Sequence, residues 1–351
     1  MPRQTGILYG RDPSIVALAA REAAARARLL EPLEKAARIL ERLQGEGLLA
    51  ELEPAPPSGP VYGLDGGLAR LSLGGTVLAV LHAAAVRVGE GDAPAELHAA
   101  AALHIPGAGV EAEEAVSASL SYLEASLLER LAREAAGAQA FMLDGPVADP
   151  PWEPRGTRQL EEAGVQLAGR PDAVLGVHGK RAGLLEAYGD RVVGVVKRLT
   201  SPRPPEPLPG LGLEGPEDAA LRSLLAALAA RGHGGCWLLG PVEPPEPSAR
   251  LYRGLAAGYI LCPSIPALYR LEALGDRLTS LARLAAALTP PGLGVPAPVA
   301  AAHQAARAPR EMLYLALSEA GLRLLEEAGT HAGEALLALL PEQPEPGHKP
   351  L

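Results

Sequence analysis

Two short pieces of this chain end an apolar run on an aspartate followed directly by glycine: "VYGLDGG" around Asp65 and "AFMLDGPV" around Asp144. A carboxylate at the edge of a buried strand costs free energy unless something pairs with it. Carboxylates that converge on one point repel each other until a cation neutralises them, and hard oxygen donors favour Mg2+ or Mn2+. Two such ions can activate a water, stabilise the charge on a phosphate and support a leaving oxygen. Asp-Gly is also among the commonest turn dipeptides, so the same two pieces have a second reading as ordinary turns.

The elements around these acids decide whether they can meet. Strand-like runs at 61–65, 68–73, 76–88 and 96–105 are separated by Gly-Gly, "GEGDAP" and "HIPGAG", the pattern of a meander of hairpins. Residues 112–136 follow with Leu120, Leu123, Leu127, Leu128 and Leu131 at helical spacing, and 138–145 form a short apolar strand. Three antiparallel strands, a crossover helix and a fourth strand parallel to the first make an RNase H-like order. In that order the first and fourth strands are neighbours, and Asp65 lies beside Asp144. Five strand residues back from Asp144 cover about 16 Å at roughly 3.3 Å each. The same distance along the helix, at about 1.5 Å per residue, reaches the mid-120s. Glu124 is the acid expected there; Glu129, about 140° further round, ranks second. Taken alone, Glu124 also reads as a solvated helix residue.

The expected class is α/β: an RNase H-like mixed sheet flanked by helices, with an N-terminal helical extension. Residues 13–53 read as helix, started by "DPS" and stopped before the connector "PAPPSGP" at 54–60. Beyond Asp144 the expected elements are a helix at 157–167, a strand at 191–199, a helix at 216–231 and a strand at 234–240. Further strands are expected in "ARLYRGLAAGYILC" and "PALYRLEAL", then helices at 275–289 and within 297–328. The division that follows is 1–55 as an N-terminal helical region, 56–340 as the main domain and 341–351 as a disordered tail.

The chain has 351 residues, 48% of them hydrophobic, enough for a sizeable core and against global disorder. No stretch is long and apolar enough for a transmembrane helix, and "MPRQTGILYGRDPS" lacks the apolar run of a secretory signal, so a cytoplasmic protein with no membrane association is expected. In that compartment Cys236 and Cys262, the only cysteines, are expected to be two buried thiols. A net charge of −9 excludes a protein that coats nucleic acid through a basic surface, but not an enzyme that holds DNA in a local groove. Four lysines against 28 arginines fit a GC-rich and thermophilic background.

The chain resembles the NurA family of DNA nucleases. The resemblance rests on "GLDGG" (63–67), the helix carrying Glu124, "FMLDGPV" (141–147), "VGVVKRLTS" (193–201), "ALYRLEAL" (267–274) and "GVPAPVAAAHQAAR" (294–307), in that order. It implies a dimeric RNase H-like nuclease, exonucleolytic and endonucleolytic, that uses Mn2+ (or Mg2+) on single-stranded DNA and duplex ends. It also implies a hexameric HerA-type ATPase as partner in DNA end resection and double-strand break repair by homologous recombination. Carried over by position, Asp65, Glu124, Asp144 and His303 are the metal ligands and catalytic residues, and Lys197 contacts the scissile phosphate. His303 on its Ala-rich helix also reads as a structural histidine. Lys197 also reads as a strand-end residue with its stem on apolar surface. The chain departs from the family at Gly67, where serine is usual, and at Val295, where tyrosine often precedes the proline.

Arg198, Arg253, Arg270 and Arg277 are expected to line a DNA path, with Tyr252, Tyr259, Tyr269 or Trp152 stacking on bases. The departures at Gly67 and Val295 keep a second reading open, a catalytically weak or inactive protein of the same fold that regulates the translocase. A sugar-kinase or actin-like ATPase fits less well: the chain shows no duplicated halves and no Gly-Lys-Ser/Thr loop.

Overall fold

The Val-, Leu- and Ala-rich segment after the proline connector forms three long antiparallel strands, β2 (Val61–Leu73), β3 (Thr76–Val88) and β4 (Glu96–Pro106). The computed structural model describes residues 21, 33–73, 76–89, 95–106, 110–148, 176–245, 249 and 252–307. Gly66 and Gly67 do not break β2, because each keeps its place in the ladder with β3, opposite Ala83 and His82. Helix α2 (Val110–Glu134) then crosses over to β5 (Ala140–Asp144), which pairs parallel to β2 from Val61↔Ala140 to Leu64↔Leu143. The expected RNase H-like order is the observed one.

The sheet continues through β6 (Val192–Val196), parallel to β5, and then through antiparallel β9 (Ala267–Leu274), β8 (Leu255–Cys262) and β7 (Cys236–Val242) to β1 (Leu49–Leu52) at the edge. The strand order is β1-β7-β8-β9-β6-β5-β2-β3-β4. Alternation along each strand divides the core between two faces. On one face Tyr62, Leu64, Phe141, Leu143 and Val192 pack against α2 and against α3 (Gly176–Tyr188). That face continues over Trp237, Leu239, Tyr259 and Leu261, covered by α1 (described over residues 33–45) and α4 (Glu217–Ala230). On the other face Val61, Met142, Val193 and Leu271 pack under α5 (Gly275–Ala287) and α6 (Ala297–Ala306). Leu127, Leu128 and Leu131 of α2 are each at most 3% exposed, and burying one such side chain stabilises by about 2 kcal/mol.

Three sequence expectations change. The helix expected over 13–53 stops earlier, because Gly47 adopts φ 72°, the left-handed conformation that ends helices. Residues 49–52 are instead the edge strand β1, paired from Leu49↔Leu239 to Leu52↔Cys236; the pairing overrides the helical preference of "LLAEL". Helix α3 was not anticipated. Gly179 and Gly183 lower its local propensity, and it is held by packing of Leu184 and Leu185 against the α2 side of the core. The helix expected at 157–167, the continuation of α6 toward 328 and the tail at 341–351 lie outside the described residues.

The third change concerns the cysteines, which are not two free thiols: Cys236 and Cys262 form a disulfide. The register that sets Trp237 opposite Leu261 sets these two residues opposite each other, with Cα atoms 4.1 Å apart. Two cysteines 26 residues apart carry no pairing signal until the β7–β8 register is known. Among the described residues no helix is long and apolar enough to cross a membrane.

Closing a loop of this length stabilises a fold by about 3 kcal/mol. Cys262→Ser is therefore expected to lower the unfolding free energy by about that amount in non-reducing buffer. It should have no further effect in reductant. Urea unfolding with and without reductant measures both.

Candidate functional site

Strand alternation aims Gly63 and Asp65 at α6 and aims Leu64 and Gly66 at α2. At Gly63 the approach is so close that a Cβ would fall 1.9 Å from the Pro298 carbonyl oxygen. The first turn of α6 therefore lies directly on β2, which requires glycine at that position. Five helical residues advance about 7.5 Å and two strand residues about 6.6 Å. With Pro298 over Gly63, His303 arrives over Asp65.

His303 Nδ1 lies 2.6 Å from Asp65 Oδ2 and 3.2 Å from Asp144 Oδ2. Asp144 reaches the same point because β5 is parallel to β2 and ends one residue beyond the last ladder pair. Ligand atoms of Asp65, Asp144 and His303 all lie within 4.8 Å of one another. The two carboxylates are about nine-tenths buried, whereas His303 is 49% exposed, so the group opens to solvent on its imidazole side. Lys197, just past β6, forms a short ion pair with Asp144 Oδ2. The Gly66 N–H donates to Asp65 Oδ1 at 2.8 Å.

The charge balance of this group is unfavourable as it stands. Burial, followed by the negative charge of Asp144, pushes the Asp65 carboxyl up to about 6, against the opposing pull of His303 and the Gly66 N–H. Two carboxylates and one imidazole form a donor set that accepts a divalent cation such as Mn2+. A cation there would offset both the burial of the charge and the repulsion from Asp144 that raise Asp65.

Glu124 stands at the expected height but on the opposite face of the sheet. A Cβ at Gly66 would fall 2.1 Å from Glu124 Oε1 and 2.8 Å from Leu120 Cδ1. The glycine backbone of β2 thus separates this carboxylate from Asp65. Arg181 Nη2 of α3 lies 3.5 Å from Glu124 Oε2. Helix rise and strand rise fix the level of a residue but not which side of the partner strand it meets. Glu129 is engaged elsewhere, by Arg133 and by Lys180 Nζ at 2.7 Å, and the Lys180 hydrogen bond holds its carboxyl below the usual range.

The arginines and aromatics assigned to a DNA path divide sharply. Arg270 is 2% exposed and lies between Glu217 and Glu272, so it cannot line a surface path. Tyr252, Tyr259 and Tyr269 are at most 3% exposed and cannot stack on bases; Tyr259 donates to Glu217 and Tyr269 shares a hydrogen bond with Thr289. Arg198 and Arg253 are exposed, as is Arg277, whose Nε donates to the Asp190 carbonyl. Trp152 lies outside the described residues. Sequence reasoning missed Arg181 and Glu272, which bind the backbone just after Asp144. Glu272 offered one signal, a carboxylate inside a largely apolar strand; Arg181 offered none, because Lys180 and Glu186 share its helix.

This fold is shared with solved nucleases. The NurA nuclease from Sulfolobus solfataricus superposes with a TM-score of 0.59 over 90% of this chain and 97% of its own, at 13% identity. A NurA structure bound to dAMP and manganese gives 0.58 over 90% and 98%, at 15% identity. A NurA structure with manganese gives 0.55 over 85% and 97%, at 16% identity. No protein-family model matches the chain, and no curated protein matches it in sequence.

Two outcomes follow. Gly63→Ala should displace α6 from β2 and cost about 1–3 kcal/mol or more, read by urea unfolding. For Asp65 the folded-state value lies above the usual carboxylate value, so the folded chain holds this proton more tightly than the unfolded chain. Its contribution to stability is full below about pH 4 and is lost as pH rises through about 6. Asp65→Asn is thus expected to melt higher than wild type in EDTA at about pH 7, with the difference vanishing near pH 4. An equal or lower Tm for the variant at neutral pH would contradict a net cost of charging Asp65 in the fold.

Proposed function

We propose that this chain is a metal-dependent DNA nuclease that hydrolyses phosphodiester bonds. One observation carries the reading: Asp65 within β2, Asp144 at the end of the parallel neighbour β5 and His303 on α6 converge within 4.8 Å, in a fold shared with nucleases whose structures contain manganese. Mn2+ or Mg2+ held by these three residues would supply Lewis acidity toward a phosphate oxygen and lower the proton affinity of water. Asp65 and Asp144 provide the negative charge that retains the ion. The exposed edge of His303 takes or gives a proton at the solvent side of the group. Lys197, already beside Asp144, offers its ammonium to the scissile phosphate. Glu124 is assigned to a second ion of a two-ion site, on the α2 side of Gly66.

The biological setting in this reading is DNA end resection in double-strand break repair by a homodimer working with a HerA-type hexameric ATPase. A net charge of −9 suits an enzyme that receives DNA from a motor better than one that captures DNA unaided. A second reading, a catalytically weak protein of this fold that regulates the translocase, is favoured by two pairings. Lys197 neutralises Asp144 and Arg181 lies against Glu124, so cations of the chain itself already oppose both acids.

End-labelled single- and double-stranded DNA incubated with Mn2+, Mg2+ or EDTA separates the two. The expected result is cleavage that needs the metal and falls about 100-fold or more in folded Asp65→Ala and Asp144→Ala variants. Manganese titration should give two ions per chain in wild type and one in Glu124→Gln. A folded wild-type chain that cuts no DNA, even with the ATPase added, leaves the regulatory reading.

A further inference from the structure

Asp144 is the last residue of β5, and its carboxylate is only as well placed as the turn that follows it. Gly145 takes φ 138°, a conformation that L side chains rarely adopt, and its N–H donates to the Val195 carbonyl at 3.0 Å. The turn then crosses β6 at Gly194, where a Cβ would lie 2.7 Å from the Gly145 oxygen and 2.8 Å from the Val147 nitrogen. Directly opposite Gly194 in the β6–β9 ladder stands Glu272. Its fully buried carboxylate accepts from the Val147 N–H at 2.9 Å and from the Ala148 N–H at 3.2 Å.

The carbonyls of the same turn are held from the helical layer. Arg181, 6% exposed, donates to the Pro146 oxygen at 3.0 Å and to the Val147 oxygen at 2.9 Å. Its other terminal nitrogen lies 3.5 Å from Glu124. Glu272 is fixed in turn: Arg270 donates to its Oε1 through Nε at 3.0 Å and lies 2.9 Å away through Nη2. Arg270 also donates to Glu217 Oε1 at 2.9 Å; Glu217 accepts from Tyr259 at 2.7 Å and from the Ser201 N–H at 3.2 Å. Charge-assisted hydrogen bonds of this kind are about twice as strong as neutral ones. Yet a buried Glu–Arg–Glu triad is a poor source of net stability, because its desolvation cost rivals its attraction. Its two carboxylates are instead each fixed by several donors, Glu272 by Arg270 and two turn N–H groups and Glu217 by Arg270, Tyr259 and the Ser201 N–H.

We propose that Arg181 and Glu272 are positioning residues for metal capture: together they clamp the 145–148 turn by its carbonyls and its N–H groups, so that Asp144 is held beside Asp65 and His303. Arg181 ties Glu124 to the same clamp, so the acids on the two faces of β2 are set by one unit. This rests on the reading of Asp65, Asp144 and His303 as metal ligands. Arg181 and Glu272 reach Asp144 through the turn that follows it. Both act through the backbone, as outer-shell groups commonly do at metal sites.

The test uses the full chain with Glu272→Gln and Arg181→Lys. Arg181→Lys keeps the charge but loses the planar fork that spans two carbonyls and a carboxylate. Mn2+ affinity is measured by calorimetry, the Val147 and Ala148 amides by hydrogen exchange, and folding by thermal unfolding. The expected result is a cooperative fold, faster exchange at both amides, and Mn2+ affinity about 10- to 100-fold weaker. DNA cleavage should recover when Mn2+ is raised in proportion. Mn2+ affinity within about twofold of wild type, in variants whose turn amides have been released, would overturn the proposal. Should Glu272→Gln fail to fold, Glu217→Gln at the far end of the relay must shift Mn2+ affinity in the same direction, and no shift again overturns it. Wild type that binds Mn2+ but cuts no DNA would defeat the nuclease reading and leave the positioning role measurable.

Discussion

Two carboxylates about nine-tenths buried, with one imidazole reaching both, cannot be left as neighbours without consequence. In water the repulsion between Asp65 and Asp144 would be about 1 kcal/mol, but it grows several-fold as the surrounding dielectric falls. The fold keeps them together. Its parallel β2–β5 pairing brings the strands side by side, and the Asp65 carboxyl answers by holding its proton up to about pH 6. His303 and Lys197 offset part of the charge. A divalent cation would offset more, and much of the surrounding structure makes sense as the means of keeping the two acids in place for it.

Backbone approach, more than side-chain packing, sets this placement. Glycine at 63 lets α6 lie on β2, glycine at 66 lets α2 bring Glu124 against the strand, and glycine at 194 lets the turn after Asp144 lie on β6. Each of these three positions would place a Cβ within 3 Å of another element. Around the acids, helices and a turn therefore lie directly on strand backbone with no side chain of the strand between. The Leu- and Ala-rich cores on either side supply the burial that holds the helices down.

Away from the acids the chain spends buried charge on a turn instead of on a surface. Arg270 appears in the sequence as one of many arginines and reads as a candidate for binding phosphates. In the fold it is enclosed between Glu217 and Glu272, where its guanidinium organises the carboxylate that holds Val147 and Ala148. The exposed arginines and the enclosed one are chemically identical in the sequence. Only their neighbours in the fold, Glu217 of α4 and Glu272 of β9 in the case of Arg270, distinguish them.

Much of the architecture was legible from local pattern. Short turns between apolar runs marked β2, β3 and β4 as antiparallel, the leucine spacing marked α2, and the crossover made β5 parallel to β2; from these the adjacency of Asp65 and Asp144 followed. Length alone also placed Glu124 at the right height, because rise per residue is a property of the element and not of its surroundings. Which face Glu124 would occupy, the Cys236–Cys262 bond, the strand at residues 49–52 and the helix α3 were decided only by tertiary structure. Each depends on a partner distant in sequence: Gly66 for Glu124, the β7–β8 register for the cysteines, β7 for β1, and the α2 side of the core for α3. The sequence by itself determined what each segment prefers to be. Contacts between segments, whose energies rival those local preferences, determined where the preferences gave way.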